Sequence, residues 1–108
     1  MPRQIHPETL AKKLAAGEPV FLLDVREPWE HETARLPDRT LIPLGELPNR
    51  AGELGVPPGS TVVVYCHHGI RSITGAAILE MNGVREAFSL SGGIEAWSQL
   101  IDPTIPRY

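Results

Sequence analysis

The sequence predicts one α/β domain, residues 1–108, with a small and mainly parallel sheet. Short apolar runs that are typical of buried strands alternate along the chain with segments of helical pattern. Such alternation favours parallel strands joined by helical crossovers. The length of 108 residues is near that of a single domain, and the 11 prolines and 10 glycines are spread out as boundaries between many short elements.

The first element is a helix at residues 7–16. Pro7 is suited to its first turn, Leu10 and Leu14 share one face, and Gly17 is placed to end it. This amphipathic pattern predicts a surface helix that packs one side on the core.

A continuous apolar run at 20–24, VFLLD, predicts a strand that is covered on both faces. Three less regular elements are expected after it. They are a short helix at 27–32 opened by Pro28, a brief strand at 41–42, and irregular helical turns at 44–54.

The clearest strand lies at 61–65, after a turn at 57–60, and the tail at 101–108 is too rich in proline for a helix or strand. Trp97 lies at helical spacing from the preceding apolar residues and is expected in the core. The remaining elements are a helix at 73–82, a strand at 87–90 and a helix from Gly92-Gly93 to about residue 100. The core-facing side of the first of these helices is predicted to hold Ile73, Ala76, Ala77 and Met81.

Composition excludes several classes of function. The net charge of -3 and the pI near 5.8 argue against a nucleic-acid surface. The apolar runs are too short to span a bilayer, and residues 1–10 lack the apolar stretch of a signal peptide, so the cytoplasm is the expected location. One cysteine rules out an internal disulfide and is compatible with a free thiol there.

That cysteine, Cys66, directly follows the strand at 61–65. Ligands of open α/β sheets gather at the carboxyl ends of the strands. Gly69 lets the loop curl so that the amides of residues 67–71 point inward, the next helix begins there, and Arg71 adds positive charge. A thiol so placed is expected to be a reactive thiolate. The alternative, a buried structural cysteine, is disfavoured by the strand-end position, the glycine and the arginine.

Four segments resemble the rhodanese homology domain, and together they cover nearly the whole chain. They are LLDVREPWE at 22–30, IPLGEL at 42–47, YCHHGIRS at 65–72 and LSGGIEAW at 90–97. Each is weak alone, but four in the right order at suitable spacing make a specific pattern. The resemblance implies a three-layer fold with helices on both sides of the sheet.

The resemblance also implies transfer of sulfane sulfur. Cys66 would take sulfur from a small donor, thiosulfate or a persulfide, and pass it from a persulfide to a thiol, cyanide or a sulfur-carrier protein in ping-pong fashion. No cofactor and no metal is implied. Asp24 and Arg26 would support the loop, although helix capping by Asp24 or a solvated Arg26 is an open alternative. The implied persulfide-binding loop comprises His67, His68, Gly69, Ile70, Arg71 and Ser72.

Two other functions compete with this one. A cysteine phosphatase or arsenate reductase on a related fold also uses a strand-end cysteine, a loop of amides and an arginine. That signature has five residues between cysteine and arginine, whereas this chain has the four at 67–70. The other competitor is a non-catalytic interaction module, which has no use for a reactive thiol.

The chain departs from the rhodanese pattern in two places. His67 and His68 stand where many such loops carry arginine or lysine. Because histidine changes charge near pH 6.5, we hypothesise that donor binding varies with pH; the alternatives are that both rings point to solvent or, less favoured, that they ligate a metal with Cys66. The segment at 34–39, ARLPDR, differs from the family's GHIPGA and puts the local loop path in question.

Overall fold

The computed structural model describes residues 3–108 and contains one parallel sheet of five strands. Its order is β1-β5-β4-β2-β3, and every neighbouring pair is parallel. The predicted α/β class is therefore confirmed. The strands are β1 (Arg3–Ile5), β2 (Val20–Asp24), β3 (Arg39–Leu41), β4 (Thr61–Tyr65) and β5 (Ala87–Leu90).

Helices cover both faces of this sheet and complete three layers. One face carries a cluster that includes Leu10, Ile94 and Trp97, and the other carries a cluster that includes Leu47 and Leu79. The predicted burial of Trp97 is thus confirmed. The helices are α1 (Pro7–Ala15), α2 (Pro28–Thr33), α3 (Leu47–Arg50), α4 (Arg71–Met81) and α5 (Gly93–Leu100), and 3₁₀ turns at Leu44–Glu46 and Ala51–Glu53 flank α3.

The predicted core face of α4 is wrong in part. Met81 is 84% exposed, and Ile73 and Ala77 are only partly buried, whereas Ala76 is buried as predicted. The helix lies so close to the sheet that a Cβ on Gly75 would come within 3.1 Å of a methyl group of Val64. Small residues therefore form the contact face around Gly75, where a larger side chain does not fit, while Leu79, one turn further along, is buried in the core. The buried residues of the helix are Ser72, Gly75, Ala76 and Leu79.

Two edge strands also differ from expectation. The strand β1 was not predicted, because Arg3–Ile5 is short and mostly polar, and pairing with β5 decides its conformation. The strand β3 runs from Arg39 to Leu41, whereas the sequence predicted a strand at 41–42. The observed strand therefore begins two residues earlier. Edge strands bury less apolar surface, so their sequence signal is weaker.

The sheet places β4 at its centre, between β5 and β2. The carboxyl ends of these three strands meet at one edge, and Cys66 directly follows β4 there. Within residues 3–108, no helix is both long and apolar enough to cross a membrane.

Candidate active site

The thiol of Cys66 is almost completely buried, with 1% of the residue exposed. Its Sγ lies 3.1 Å from the backbone nitrogen of Gly69 and 3.4 Å from that of Ser72. Of the five amides expected from residues 67–71, only that of Gly69 makes this contact in the part of the chain described. Two N–H donors aimed at one sulfur stabilise negative charge on it.

The cysteine loop, residues 66–71, is shaped by the helix that follows β5. The amides of Ile94 and Glu95 donate to the carbonyl oxygens of Cys66 and His67 at 2.9 and 3.1 Å. The chain approaches so closely that a Cβ on Gly93 would collide with both oxygens. Glycine is therefore needed at position 93, since no side chain fits where the chain meets the cysteine loop.

A chain of two hydroxyl groups ends on the sulfur. The Oγ of Ser72 lies 3.4 Å from Sγ of Cys66 and 2.7 Å from Oγ of Ser89 on β5. Hydroxyl hydrogens rotate freely, so this chain serves either form of the sulfur. A thiol donates to Ser72, which donates in turn to Ser89, whereas a thiolate accepts from Ser72, which in turn accepts from Ser89. Ser89 could not be predicted from the sequence, because only strand pairing brings β5 beside β4.

Arg71 forms a two-pronged ion pair with Glu30. Its Nη1 and Nη2 donate to Oε1 and Oε2 of Glu30 at 2.7 and 2.8 Å. Hydrogen bonding to Arg71 lowers the pKa of Glu30 to about 2, so the carboxylate is ionised at neutral pH. The end-on pairing leaves the Nε–H and the outer N–H groups of Arg71 for a further anion. The charge of Arg71 is thus compensated and its orientation fixed, which the sequence did not predict.

Glu30 is a further residue of the site that the sequence did not indicate. It is 3% exposed and belongs to a capping box, in which its side chain accepts from the amide of Glu27 at 3.0 Å. The capping spacing was visible in the sequence as a glutamate three residues after Glu27. Its second role was not visible, because Arg71 lies 41 residues away.

Asp24 and Arg26 form an ion pair that is fully buried. Nε and Nη2 of Arg26 donate to the two carboxylate oxygens of Asp24 at 2.9 and 2.8 Å. The remaining bonds of Arg26 go to the carbonyl oxygens of Ala34 and Glu30 and to the hydroxyl of Tyr108. A solvated Arg26 is therefore wrong. The pair fixes α2 and the segment after it, and it is linked to the cysteine loop through Glu30 and through Tyr108, whose ring stacks on His67.

The two histidines of the loop have different environments. His68 is exposed, whereas the ring of His67 lies between those of His68 and Tyr108, with centroids 3.9 Å from each. Burial lowers the pKa of His67, and the neighbouring His68 lowers it further. The Nε2 of His67 is buried and has no hydrogen-bond partner in the described chain. The alternative in which both rings point to solvent is therefore wrong for His67, whose ring is stacked between two others, and right for His68.

Two large apolar side chains on or near the cysteine loop are exposed. Ile70 is 77% exposed on the loop, and Trp29 is 61% exposed with its ring edge-on to Tyr108 at 5.8 Å. The divergent segment at 34–39 is anchored nearby, since the amide of Leu36 donates to the hydroxyl of Tyr65 at 3.3 Å. Among residues 3–108, no three His, Cys, Asp or Glu side chains gather into a metal-binding group.

Comparison with known proteins identifies the family. The pattern of the rhodanese-like domain matches residues 6–100, and the chain belongs to that family. A sulfurtransferase of Allochromatium vinosum is 36% identical over 99 residues, which are 92% of this chain and 91% of that protein. A putative sulfur carrier protein of Bacillus subtilis, YrkF, is 33% identical over 88% of this chain, which spans only 50% of YrkF.

The fold is also that of solved members of this family. A rhodanese-like domain protein from Staphylococcus aureus superposes with a TM-score of 0.80 at 27% identity, and the match covers 98% of each chain. The three-layer arrangement expected from the sequence is therefore confirmed.

Proposed function

We propose that the protein is a sulfurtransferase that carries sulfane sulfur on Cys66. The observation that carries this proposal is the environment of the buried Sγ, which faces the amides of Gly69 and Ser72 and the hydroxyl of Ser72. These donors suit the small negative sulfur of a thiolate or a persulfide. The name of the relative in Allochromatium vinosum supports the same chemistry.

The reaction has two displacement steps. The Cys66 thiolate attacks the outer sulfur of a donor such as thiosulfate, a new S–S bond forms, and sulfite leaves with the electron pair of the broken S–S bond. An acceptor thiolate or cyanide then attacks the terminal sulfur of the persulfide, and the Cys66 thiolate leaves. Ping-pong kinetics are expected, because the donor product departs before the acceptor reacts. The chemistry needs no metal and no organic cofactor.

Other residues of the site have supporting roles in this proposal. Arg71 presents its free N–H groups to an anionic donor while Glu30 holds its guanidinium in place. His67, His68 and Ile70 surround Cys66 along the cysteine loop. The ion pair of Asp24 with Arg26 stabilises α2, which carries Glu30. The physiological acceptor is expected to be a thiol or a sulfur-carrier protein, as the name of YrkF suggests for that relative. We expect the protein in the cytoplasm, where a free cysteine remains reduced.

The decisive experiment is mass spectrometry of the protein treated with thiosulfate. We expect Cys66 to gain the mass of one sulfur atom and to lose it on addition of cyanide, while Cys66→Ser gains nothing. Circular dichroism of Cys66→Ser checks that the serine variant is folded. A wild-type protein that takes up no sulfur from thiosulfate or from glutathione persulfide would favour a non-catalytic interaction module.

A phosphatase activity is less compatible with the geometry. Such enzymes have five residues between the cysteine and the arginine, so that the loop can encircle a tetrahedral oxyanion, whereas only four residues separate Cys66 from Arg71. Hydrolysis of p-nitrophenyl phosphate that depends on Cys66 is the result that would reverse this preference.

A further inference from the structure

The tail at 101–108 leaves α5 and is fixed to the domain at three points. The amide of Asp102 donates to the carbonyl of Trp97 at 3.0 Å. The hydroxyl of Ser98 donates to the backbone carbonyl of Ile105 at 2.6 Å. Ile105 is itself buried in the core. Further along, Nη2 of Arg107 pairs with Glu95 at 2.6 Å. The tail is thus a packed part of the domain, although its sequence predicts neither helix nor strand.

These anchors bring Tyr108 to the candidate active site. Its hydroxyl accepts a hydrogen bond from Nη1 of Arg26 at 2.7 Å and donates one to Oε2 of Glu30 at 2.8 Å. Its ring stacks on that of His67, with centroids 3.9 Å apart and planes inclined by 9°. Tyr108 therefore contacts both the carboxylate of Glu30, which holds Arg71, and the ring of His67 on the cysteine loop.

We propose that Tyr108 is a positioning residue that sets Arg71 for the capture of an anionic substrate. The link is Oε2 of Glu30, which receives both the Tyr108 hydroxyl and Nη2 of Arg71. Arg71 is 36% exposed, so hydrogen bonds rather than close packing determine where its guanidinium points. The substrate class rests on the proposed function, in which the donor is an anion such as thiosulfate.

The chemistry of the hydroxyl suits this role. Burial raises the pKa of Tyr108 to about 12, so the group stays protonated and donates to Glu30 throughout the physiological range. Without the hydroxyl, Nη1 of Arg26 keeps only a contact of 3.3 Å with the carbonyl of Glu30. Glu30 then gains freedom to turn, and Arg71 turns with it. In metal sites, loss of an outer hydrogen bond that orients a ligand weakens binding by about tenfold to a hundredfold, and we expect a smaller effect of the same kind for an anion that Arg71 binds.

The test compares Tyr108→Phe with the wild type in sulfur transfer from thiosulfate to cyanide. Phenylalanine keeps the ring on His67 and removes only the hydroxyl. We expect KM for thiosulfate to rise by about threefold to tenfold and kcat to change by less than about twofold, since Cys66 and its donors are untouched. Thr104→Ala is the matched control, because Thr104 is exposed on the same tail and bonds only to Asp102.

A second readout does not need sulfur transfer. Iodoacetate and iodoacetamide alkylate the same thiol, but only iodoacetate carries the negative charge that Arg71 would attract. We expect the ratio of their rates at Cys66 to fall by about threefold to tenfold in Tyr108→Phe, with the iodoacetamide rate nearly unchanged. Tyr108→Trp, which also lacks the bridging hydroxyl, serves the same comparison if the phenylalanine variant does not fold.

The outcomes separate the two proposals. A wild-type ratio in Tyr108→Phe, or an equal fall in both alkylation rates, overturns the positioning role whether or not sulfur is transferred. A lower ratio supports that role even if the wild type transfers no sulfur, and then only the proposed function fails.

Discussion

Replacement of Glu30 by glutamine tests whether its ion pair with Arg71 determines stability as well as geometry. The folded-state pKa of Glu30 lies at about 2, against an ordinary value of 4.5, chiefly because Arg71 donates two hydrogen bonds to it. At 1.36 kcal/mol per pKa unit, this shift corresponds to about 3 kcal/mol of stability at neutral pH. Because Arg71 is partly exposed and regains water, we expect Glu30→Gln to lose about 2–3 kcal/mol.

The same shift fixes the sign of a pH dependence. A depressed carboxylate pKa contributes stability that is complete above about pH 4.5 and is lost as the pH falls towards 2. Between pH 7 and about pH 3.5, the wild type should therefore lose about 1.4 kcal/mol through Glu30. Glu30→Gln lacks that titration, so its free energy of unfolding should depend less on pH by this amount.

Urea unfolding of both proteins at pH 7 and pH 3.5 measures the difference. Glu46→Gln is the matched control, because Glu46 also pairs with an arginine, Arg50, but both side chains are exposed. Its effect should stay below about 0.5 kcal/mol. If the free energies of wild type and Glu30→Gln change in parallel with pH, the carboxylate is not held by Arg71 in the way described.

Three further predictions concern residues that belong to the cysteine loop or contact its surroundings. Gly93→Ala should destabilise the domain by about 2–5 kcal/mol, because the φ of +62° and the loop carbonyls exclude a Cβ. Gly45→Ala is the control, since position 45 has open space and the change should cost far less. Equal midpoints of urea unfolding for the two variants would contradict the contact. Ser89→Ala should slow alkylation of the buried thiol by iodoacetamide at pH 7 a few-fold, because the Ser72 hydroxyl loses its 2.7 Å partner, and an unchanged rate would argue against the hydroxyl chain. The imidazole of His67 should titrate below pH 6.5 by NMR, because burial lowers its pKa, so stability tied to its neutral form is lost as the pH falls; a midpoint above 6.5 would contradict that burial.

The sequence predicted the fold wherever a segment's own residues decide its conformation. The runs at 20–24 and 61–65 are apolar throughout because both faces of those strands are covered. The edge strand Arg3–Ile5 escaped notice, since its pairing with β5 rather than its composition makes it a strand. The face of α4 was misjudged because hydrophobicity does not report that Gly75 is needed for close approach to the sheet.

The site divides in a similar way. Cys66, Gly69 and Ser72 are neighbours along the chain, so the strand-to-helix loop that joins them was readable from spacing. Glu30 and Tyr108 come from segments far from the loop in sequence, and each also has a simpler local explanation. Glu30 is explained locally as a helix cap, and Tyr108 belongs to a proline-rich tail. Neither local pattern predicts that Glu30 contacts Arg71 or that Tyr108 contacts His67.

The amino-acid sequence alone predicts the α/β class, the order of the main elements and the position of a single thiol at the carboxyl end of β4. These features depend on periodicity, turn residues and loop length, which are local properties of the chain. Two contacts become visible only in the tertiary structure: Glu30 compensates the charge of Arg71, and Tyr108 of the tail at 101–108 donates a hydrogen bond to Glu30. These partners lie 41 and 78 residues apart in the sequence and meet only in the folded chain, so the contacts are a consequence of the whole fold.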